Sequence, residues 1–238
     1  MRQYAAPNDV WQFAALVGMQ SLLAATEQTE KLAAILDTTS EYGTTPRLFS
    51  IVDALAGADV NEFAGSVAQA LRDDLFDIND FRLWFLGVWD AYRGPIEEAR
   101  AIGDTLLARS AATGDRRTTL VARSLSAHIA LADGDTTRAI QMFEALTPTA
   151  DRAALQHPWE SLGLERLMLA RILLAAGRYE EALHAAASFD SPGATNITNT
   201  LFLPASLEIR SRVADALGDA SAAMTIERRL NALKHRTM

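Results

Sequence analysis

Histidine is the side chain best placed for acid–base or metal work near neutral pH, and this chain carries four: His128, His157, His184 and His235. None has, beyond chance, a second ligand at the i+3 or i+4 spacing that puts two donors on one helix face, and no HExxH occurs. His128 sits in an Ala- and Leu-rich stretch and reads as a hydrogen-bonded wall residue rather than a base. The stretch RDDLFDIND (72–80) gathers Asp73, Asp74, Asp77 and Asp80. A hard cation favours such oxygens, but the glycine and closing glutamate of a calcium loop are missing. Aspartates that end one helix and cap the next explain the cluster. The absence of cysteine removes disulfides, thiolate metal sites and thiol catalysis together. No GxSxG, GxGxxG or GxxxxGK[ST] occurs, so neither a nucleophile elbow nor a phosphate cradle has a candidate. The expectation is a non-enzyme with no metal and no cofactor; an all-α enzyme built from unfamiliar residues is a remote alternative.

The surrounding elements are helical. Apolar residues recur at helical spacing nearly everywhere, and no β-branched run alternates at period two. Breaks fall at TTSEYGTTP (38–46), AGADV (56–60), DIND (77–80), YRGP (92–95), ATGDRR (112–117), ADGDTT (132–137), TPTAD (147–151), AAGR (175–178) and ALGDAS (216–221). They leave about twelve helices with short connections, which makes successive helices antiparallel neighbours. FDSPGATNITNTLFLP (189–204) is long and irregular; its NIT triplet reads as incidental. With 238 residues, 49% hydrophobic, the chain can bury one large core. A net charge of −8 argues against nucleic acid as a partner. No stretch approaches the roughly 20 apolar residues of a membrane span. The start, MRQYAAPNDVWQF, lacks the features of a signal peptide, so the expected location is the cytoplasm.

The helices repeat. Gly94, Gly134, Gly177 and Gly218 lie 40, 43 and 41 residues apart. Each is expected to end a helix in the left-handed conformation. Five residues after each stands an alanine (Ala99, Ala139, Ala182, Ala223). Seven residues before each stands a small residue (Gly87, Ala127, Ala170, Ser211). Small residues at both places let the two helices of a pair cross closely. Residues 76–238 hold four such pairs. Residues 1–75 hold two more in degraded form, about 8–39 and 45–74, giving one domain over 1–238.

At these residues the chain resembles the tetratricopeptide (TPR) family. LMLARILLAAGRYEEALHAAASFDSP (167–192) supplies Leu169, Ala170, Gly177, Tyr179, Ala182 and Pro192; ARSLSAHIALADGDTTRAIQMFEALTP (122–148) supplies Ala127, Gly134, Ala139, Phe143 and Pro148. The period is near 41 rather than 34, and the early tryptophan of helix A is missing. The C-terminal portion is also similar to the repeat tails of bacterial serine/threonine kinases and multidomain transcriptional regulators, without any kinase catalytic motif. The resemblance implies an all-α, right-handed superhelical solenoid of about six antiparallel pairs, with a concave groove lined by the first helix of each pair.

That groove implies a docking or sensing scaffold for a protein or peptide, in bacterial signalling or regulation. Its inward positions include Phe81, Trp84, Val88 and Tyr92, then Ser124, His128 and Leu131, then Leu167, Arg171 and Leu174, then Glu208 and Arg212. In FRLWFLGVWDAY (81–92) the aromatics make one wide stripe, while Leu83, Leu86 and Gly87 lie on another face, so the helix is apolar nearly all round. Two readings stay open: a helix sandwiched between neighbours, or a groove anchored by Trp84 and Tyr92. Arg171 and Arg212 pair either with a partner's carboxylate or phosphate or with neighbouring repeats. The other function weighed is an effector-sensing module in which 189–204 folds over a small ligand. The basic tail ERRLNALKHR (227–236) reads as a capping helix. Self-association is compatible with the sequence.

Overall fold

Ala, Leu and Arg are the commonest residues of the chain, and such residues lose little side-chain entropy in a helix. The computed structural model describes residues 19–20, 22–38, 44–73, 79–152, 162–190 and 199–234; every regular element among them is helical. After a helical stretch at 22–25 come α1 (Thr29–Thr38), α2 (Thr44–Ala56), α3 (Asn61–Asp73), α4 (Asp80–Arg93), α5 (Ile96–Thr113) and α6 (Arg116–Ala132). They are followed by α7 (Thr136–Arg152), α8 (Gly163–Ala175), α9 (Tyr179–Ala187) with a 3-10 turn at Ser188–Asp190, α10 (Asn199–Ala216) and α11 (Ala220–Lys234). No described helix is long and apolar enough to cross a membrane. One contiguous apolar core runs from Leu23 to Val213.

The turns follow from the glycines. Gly134, Gly177 and Gly218 have φ of 81°, 73° and 75°. In each, the glycine N–H reaches back three residues and the next N–H reaches back five, as in Asp135 N–H to Ala130 O and Arg178 N–H to Leu173 O. This double bond pattern satisfies the last carbonyls of a helix. Gly94 departs from the expectation: its φ is −119°. Pro95 follows it, and a proline pushes the preceding residue toward extended backbone. Gly94 is needed for room instead, because a Cβ there would collide with the Asp90 carboxylate.

The small residues sit where helices cross. Ala99, Ala139, Ala182, Ala223, Ala127, Ala170, Gly87 and Ser211 are all buried, and Tyr179 is half-buried. A Cβ on Gly87 would lie 2.6 Å from Leu125 Cδ2 and 3.1 Å from Ile102 Cγ2, so α4 presses against α6 and α5 at one point. A branched side chain there overpacks the crossing. Gly87→Val is expected to lower stability in urea unfolding by about 2–3 kcal/mol with little change in helical circular dichroism.

Two breakers act less strongly than expected. TPTAD (147–151) lies inside α7, which continues to Arg152. The segment 189–204 turns helical at Asn199, ahead of Pro204 inside α10. Burial of Leu201 and Phe202 rewards helix formation upstream of the proline, and tertiary packing overrides local propensity.

Pairs α2–α3, α4–α5, α6–α7, α8–α9 and α10–α11 follow one another, each packed on the next. The row also closes on its own beginning, because α2 touches α4, α8 and α10 as well as α3. Every residue from Leu48 to Ala56 is buried. The expected open trough along the first helices of the pairs is therefore filled by α2. Its residues Leu48, Phe49, Ile51, Val52 and Leu55 lie all around the helix, and a helix apolar all round is stable only when enclosed. Phe49 meets Phe85 edge to face, centroids 5.5 Å apart.

Candidate functional site

Most of the polar groups assigned to the trough are spent on holding it together. Trp84 on α4 is 1% exposed, and its Nε1–H donates to Ser124 Oγ on α6 at 2.8 Å. Ser124 donates in turn to Glu165 Oε1 on α8. His128, one turn after Ser124, places Nδ1 2.8 Å from the Tyr92 hydroxyl and Nε2 3.8 Å from Glu165 Oε1. Burial first, and then the Glu165 carboxylate, push the Tyr92 phenol well above its ordinary pKa. Tyr92 thus keeps its proton, and its hydroxyl shares one hydrogen bond with His128 Nδ1.

Ser124, His128 and Glu165 have the residue types of nucleophile, base and orienter. The connectivity is wrong for that chemistry, since Ser124 bonds Glu165 and not His128. All three are also nearly or fully buried, whereas a general base must reach the proton it takes. The chain of bonds ties α4, α6 and α8 into one unit beneath α2. Glu165 escaped the sequence reading. The signal was its charge inside GLERLMLARILLA, a helix otherwise so apolar that an acid there had to be paired.

Arg171 does make forked hydrogen bonds, but to the chain itself. Nη1 donates to Leu55 O at 3.1 Å and Nη2 to Ala56 O at 2.9 Å. These carbonyls end α2, where four backbone acceptors lack partners and the helix dipole is negative. Burial lowers the Arg171 pKa, with the nearby Glu208 opposing. Arg212 is exposed, while Arg171 is committed to the α2 carbonyls. Phe81 is half-buried against Trp84 and Phe85. His184 is exposed on α9, while His157, His235 and the NIT triplet lie outside the described residues. Of the aspartate cluster, Asn79 rather than an aspartate caps α4 by accepting from Arg82 N–H, and Asp80 accepts from Arg109 and Thr118. Asp74 and Asp77 lie outside the described residues. Among the described residues no group of three His, Cys, Asp or Glu is placed to hold a metal ion.

Two of the cavities lined by described residues bear on binding. One of about 340 Å³ lies between the starts of α4 and α6, lined by Phe81, Asp80, Asp115, Arg117 and Thr118. Its helix N-termini are already satisfied from within: Asp115 accepts from Thr118 N–H, which holds the Asp115 carboxyl below its usual range. The other, about 360 Å³, lies at the seam where the row meets its own beginning. Leu23, Leu32, Ala56, Leu201, Pro204 and Ala205 give it an apolar floor and walls, and Glu27, Asp59 and Glu208 are its acidic residues. Two left-handed residues shape its edge, Glu27 (φ 56°) and Gly57 (φ 121°). Of the trough residues expected to bind, Glu208 alone lines the seam cleft, and Arg171 stands behind its wall. Neither cavity is lined by a member of the Trp84–Ser124–Glu165 network. No protein-family model matches this chain, and no curated protein or solved structure gives a significant match.

Proposed function

We propose that this chain is a non-enzymatic binding module for a protein or peptide, and that it binds at the seam cleft rather than along the first helices of its pairs. The observation that carries this reading is the division of labour between the two places. In the trough, Trp84, Ser124, His128 and Arg171 are engaged with one another, with Glu165 or with α2. At the seam a cavity of mixed polar and apolar lining stays open, and Met19 and Leu22, just before its lining residue Leu23 in the sequence, are exposed. Apolar surface left uncovered next to a concavity is the usual mark of an interaction site. The likeness to tetratricopeptide repeats and to the repeat tails of bacterial kinases and regulators supports a docking role in signalling. A second reading, a small effector held in the seam, draws on the cavity itself, whose 360 Å³ falls in the range of small-ligand pockets, about 300–1,000 Å³.

Filling the cleft tests the reading. Ala205 lines it from α10, and Ala205→Trp inserts an indole. Affinity capture with the wild type is expected to retain a partner that rebinds after purification, and Ala205→Trp is expected to lose it. A partner held equally by both variants rules the cleft out. A cell extract whose small-molecule fraction alone raises the melting temperature of the wild type, and not of Ala205→Trp, favours the effector reading.

A further inference from the structure

One wall of the seam cleft is fastened to the other by a single buried hydrogen bond. Gln20, Leu23 and Ala24 fall at i, i+3 and i+4 on the helical residues before α1, which puts them on one side. Asp53 and Ala56 lie one turn apart on α2, with Gly57 just beyond. Leu23, Ala24, Ala56 and Gly57 line the cleft. Gln20 and Asp53, one turn away on each side, are fully buried, and Gln20 Nε2 donates to Asp53 Oδ2 at 2.5 Å. Gln20 Oε1 and Asp53 Oδ1 lack hydrogen-bond partners, so a protonated carboxyl adds a donor to a pair with two idle acceptors. The far end of this wall is a strained turn. Glu27 N–H reaches Ala24 O and Gln28 N–H reaches Leu23 O, the same pattern that closes helices at Gly134, Gly177 and Gly218. Glu27 adopts the left-handed backbone there with a Cβ, at φ 56°, which favours leaving that conformation.

We propose that the helical stretch before Glu27 is a proton-operated latch: it stays seated on α2 while Asp53 is protonated, and turns out about Glu27 when Asp53 ionises, opening the seam and letting water reach the carboxylate. The mechanics stand apart from the binding-module reading; the use of the latch, to widen the cleft for a partner, rests on it. Other charges around α2 are held elsewhere. Arg171 of α8 is bound to the Leu55 and Ala56 carbonyls, Glu165 of α8 accepts from Ser124, and Asp90 of α4 is paired with Arg72 of α3. Arg210 of α10 bonds Asp190, Arg47 of α2 lies over the Phe63 ring of α3, and Glu27, Asp59 and Glu208 line the cleft. Among the described residues none of these charges is a cause of the Asp53 shift: burial raises its pKa to about 7, and the Gln20 bond opposes it. Hydration sets the direction. With the latch open the carboxyl returns toward its ordinary value of 3.8. The opening constant therefore rises about tenfold per pH unit from about pH 4 to about pH 7 and is flat above. α2 keeps its place, since it also packs on α3, α4, α8 and α10.

Native-state hydrogen exchange of the full chain at pH 5 and pH 7, corrected for intrinsic rates, tests the latch. The amides to follow are Thr26 and Gln28, bonded to the Leu22 and Leu23 carbonyls, beside those of α6 and α8. Thr26 and Gln28 are expected to open far more often than α6 and α8 at both pH values, and about a hundredfold more often at pH 7 than at pH 5. Asp53→Asn is expected to hold them at the pH 5 level. Exchange of Thr26 and Gln28 in step with α6 and α8 overturns the latch, because the wall then leaves only with the whole fold. So does an opening without pH dependence, or one whose pH dependence survives in Asp53→Asn. The wild-type comparison decides alone if Asp53→Asn does not fold. Exchange in step with α6 and α8, together with a partner lost by Ala205→Trp, sinks the latch and leaves the seam reading standing. A pH-dependent opening beside a partner held equally by wild type and Ala205→Trp supports the latch and sinks the seam as the binding place.

Discussion

Asp53→Asn makes this protein more stable at pH 8 and removes most of the fall in stability between pH 4 and pH 7. Asp53 lies on α2, fully buried, and its Oδ2 accepts from Gln20 Nε2 at 2.5 Å. Burial pushes its pKa up to about 7, with the Gln20 hydrogen bond opposing. Asp53 Oδ1 and Gln20 Oε1 are both buried acceptors without a hydrogen-bond partner. A proton on the carboxyl gives this pair a donor, which the ionised form lacks.

The sign follows from linkage. The folded-state pKa lies above the unfolded value of 3.8, so the native state holds this proton more tightly than the unfolded chain. Stability from this group is greatest below about pH 4 and falls as pH rises to about 7. Beyond that it is flat. The shift of about 3 units corresponds to a destabilisation on the order of 4 kcal/mol at pH 8. Asparagine supplies an N–H in place of the proton at every pH and is expected to recover about half of that or more. Urea unfolding at pH 4 and pH 8 decides it. A loss of stability at pH 8 would mean that the carboxylate is ionised and paired in the native state.

Arg72→Ala is expected to be among the most damaging single changes at a residue that is itself partly exposed. Arg72 Nη2 bonds the fully buried Asp90 carboxylate, and its Nε lies 3.3 Å from Glu98. Burial raises the Asp90 pKa to about 6 even with Arg72 beside it, and Glu98 adds to the rise. Removing the guanidinium leaves a buried charge facing a like charge, with a loss of about 3 kcal/mol or more at pH 8. The loss should shrink toward pH 5, where Asp90 takes up its proton. Arg72→Ala/Asp90→Asn is expected to recover much of the stability, because the charge needing compensation is gone. Additive losses in that double-mutant cycle would show that the two side chains are not coupled.

The paired helices were legible because their signals are local. A glycine at a turn and an alanine five residues on act within one hairpin, and Ala139 and Ala182 are fully enclosed where the spacing placed them. The aromatic helix α4 was readable too: apolar on every side, it is buried from Leu83 to Asp90. The filling of the trough was harder to see. It depends on contacts between α2 and residues more than a hundred positions later, such as Leu55 O with Arg171, and no spacing rule reaches across that interval. The hint lay in RLFSIVDALA, apolar around its whole circumference apart from Arg47, Ser50 and Asp53. Arg171 was singled out as a donor to a partner's carboxylate or phosphate, and its forked bonds go to the chain instead. The sequence left open whether its acceptors came from a partner or from the chain, and the acceptors are the last carbonyls of α2. The seam cleft, assembled from the stretch before α1, the end of α2 and the start of α10, leaves no local pattern for a reader to find.

The central claim is that α2 belongs to the core, which is what led us to propose the seam rather than the trough as the binding place. Native-state hydrogen exchange over residues 44–56, compared with α6 and α8, tests it most directly. Enclosed α2 amides should exchange only with global unfolding, at the same free energy as the amides of α6 and α8. Exchange of α2 at a much lower free energy, with α6 and α8 still protected, would show a detachable occupant. The trough lined by Trp84 and Arg171 would then be the binding surface after all.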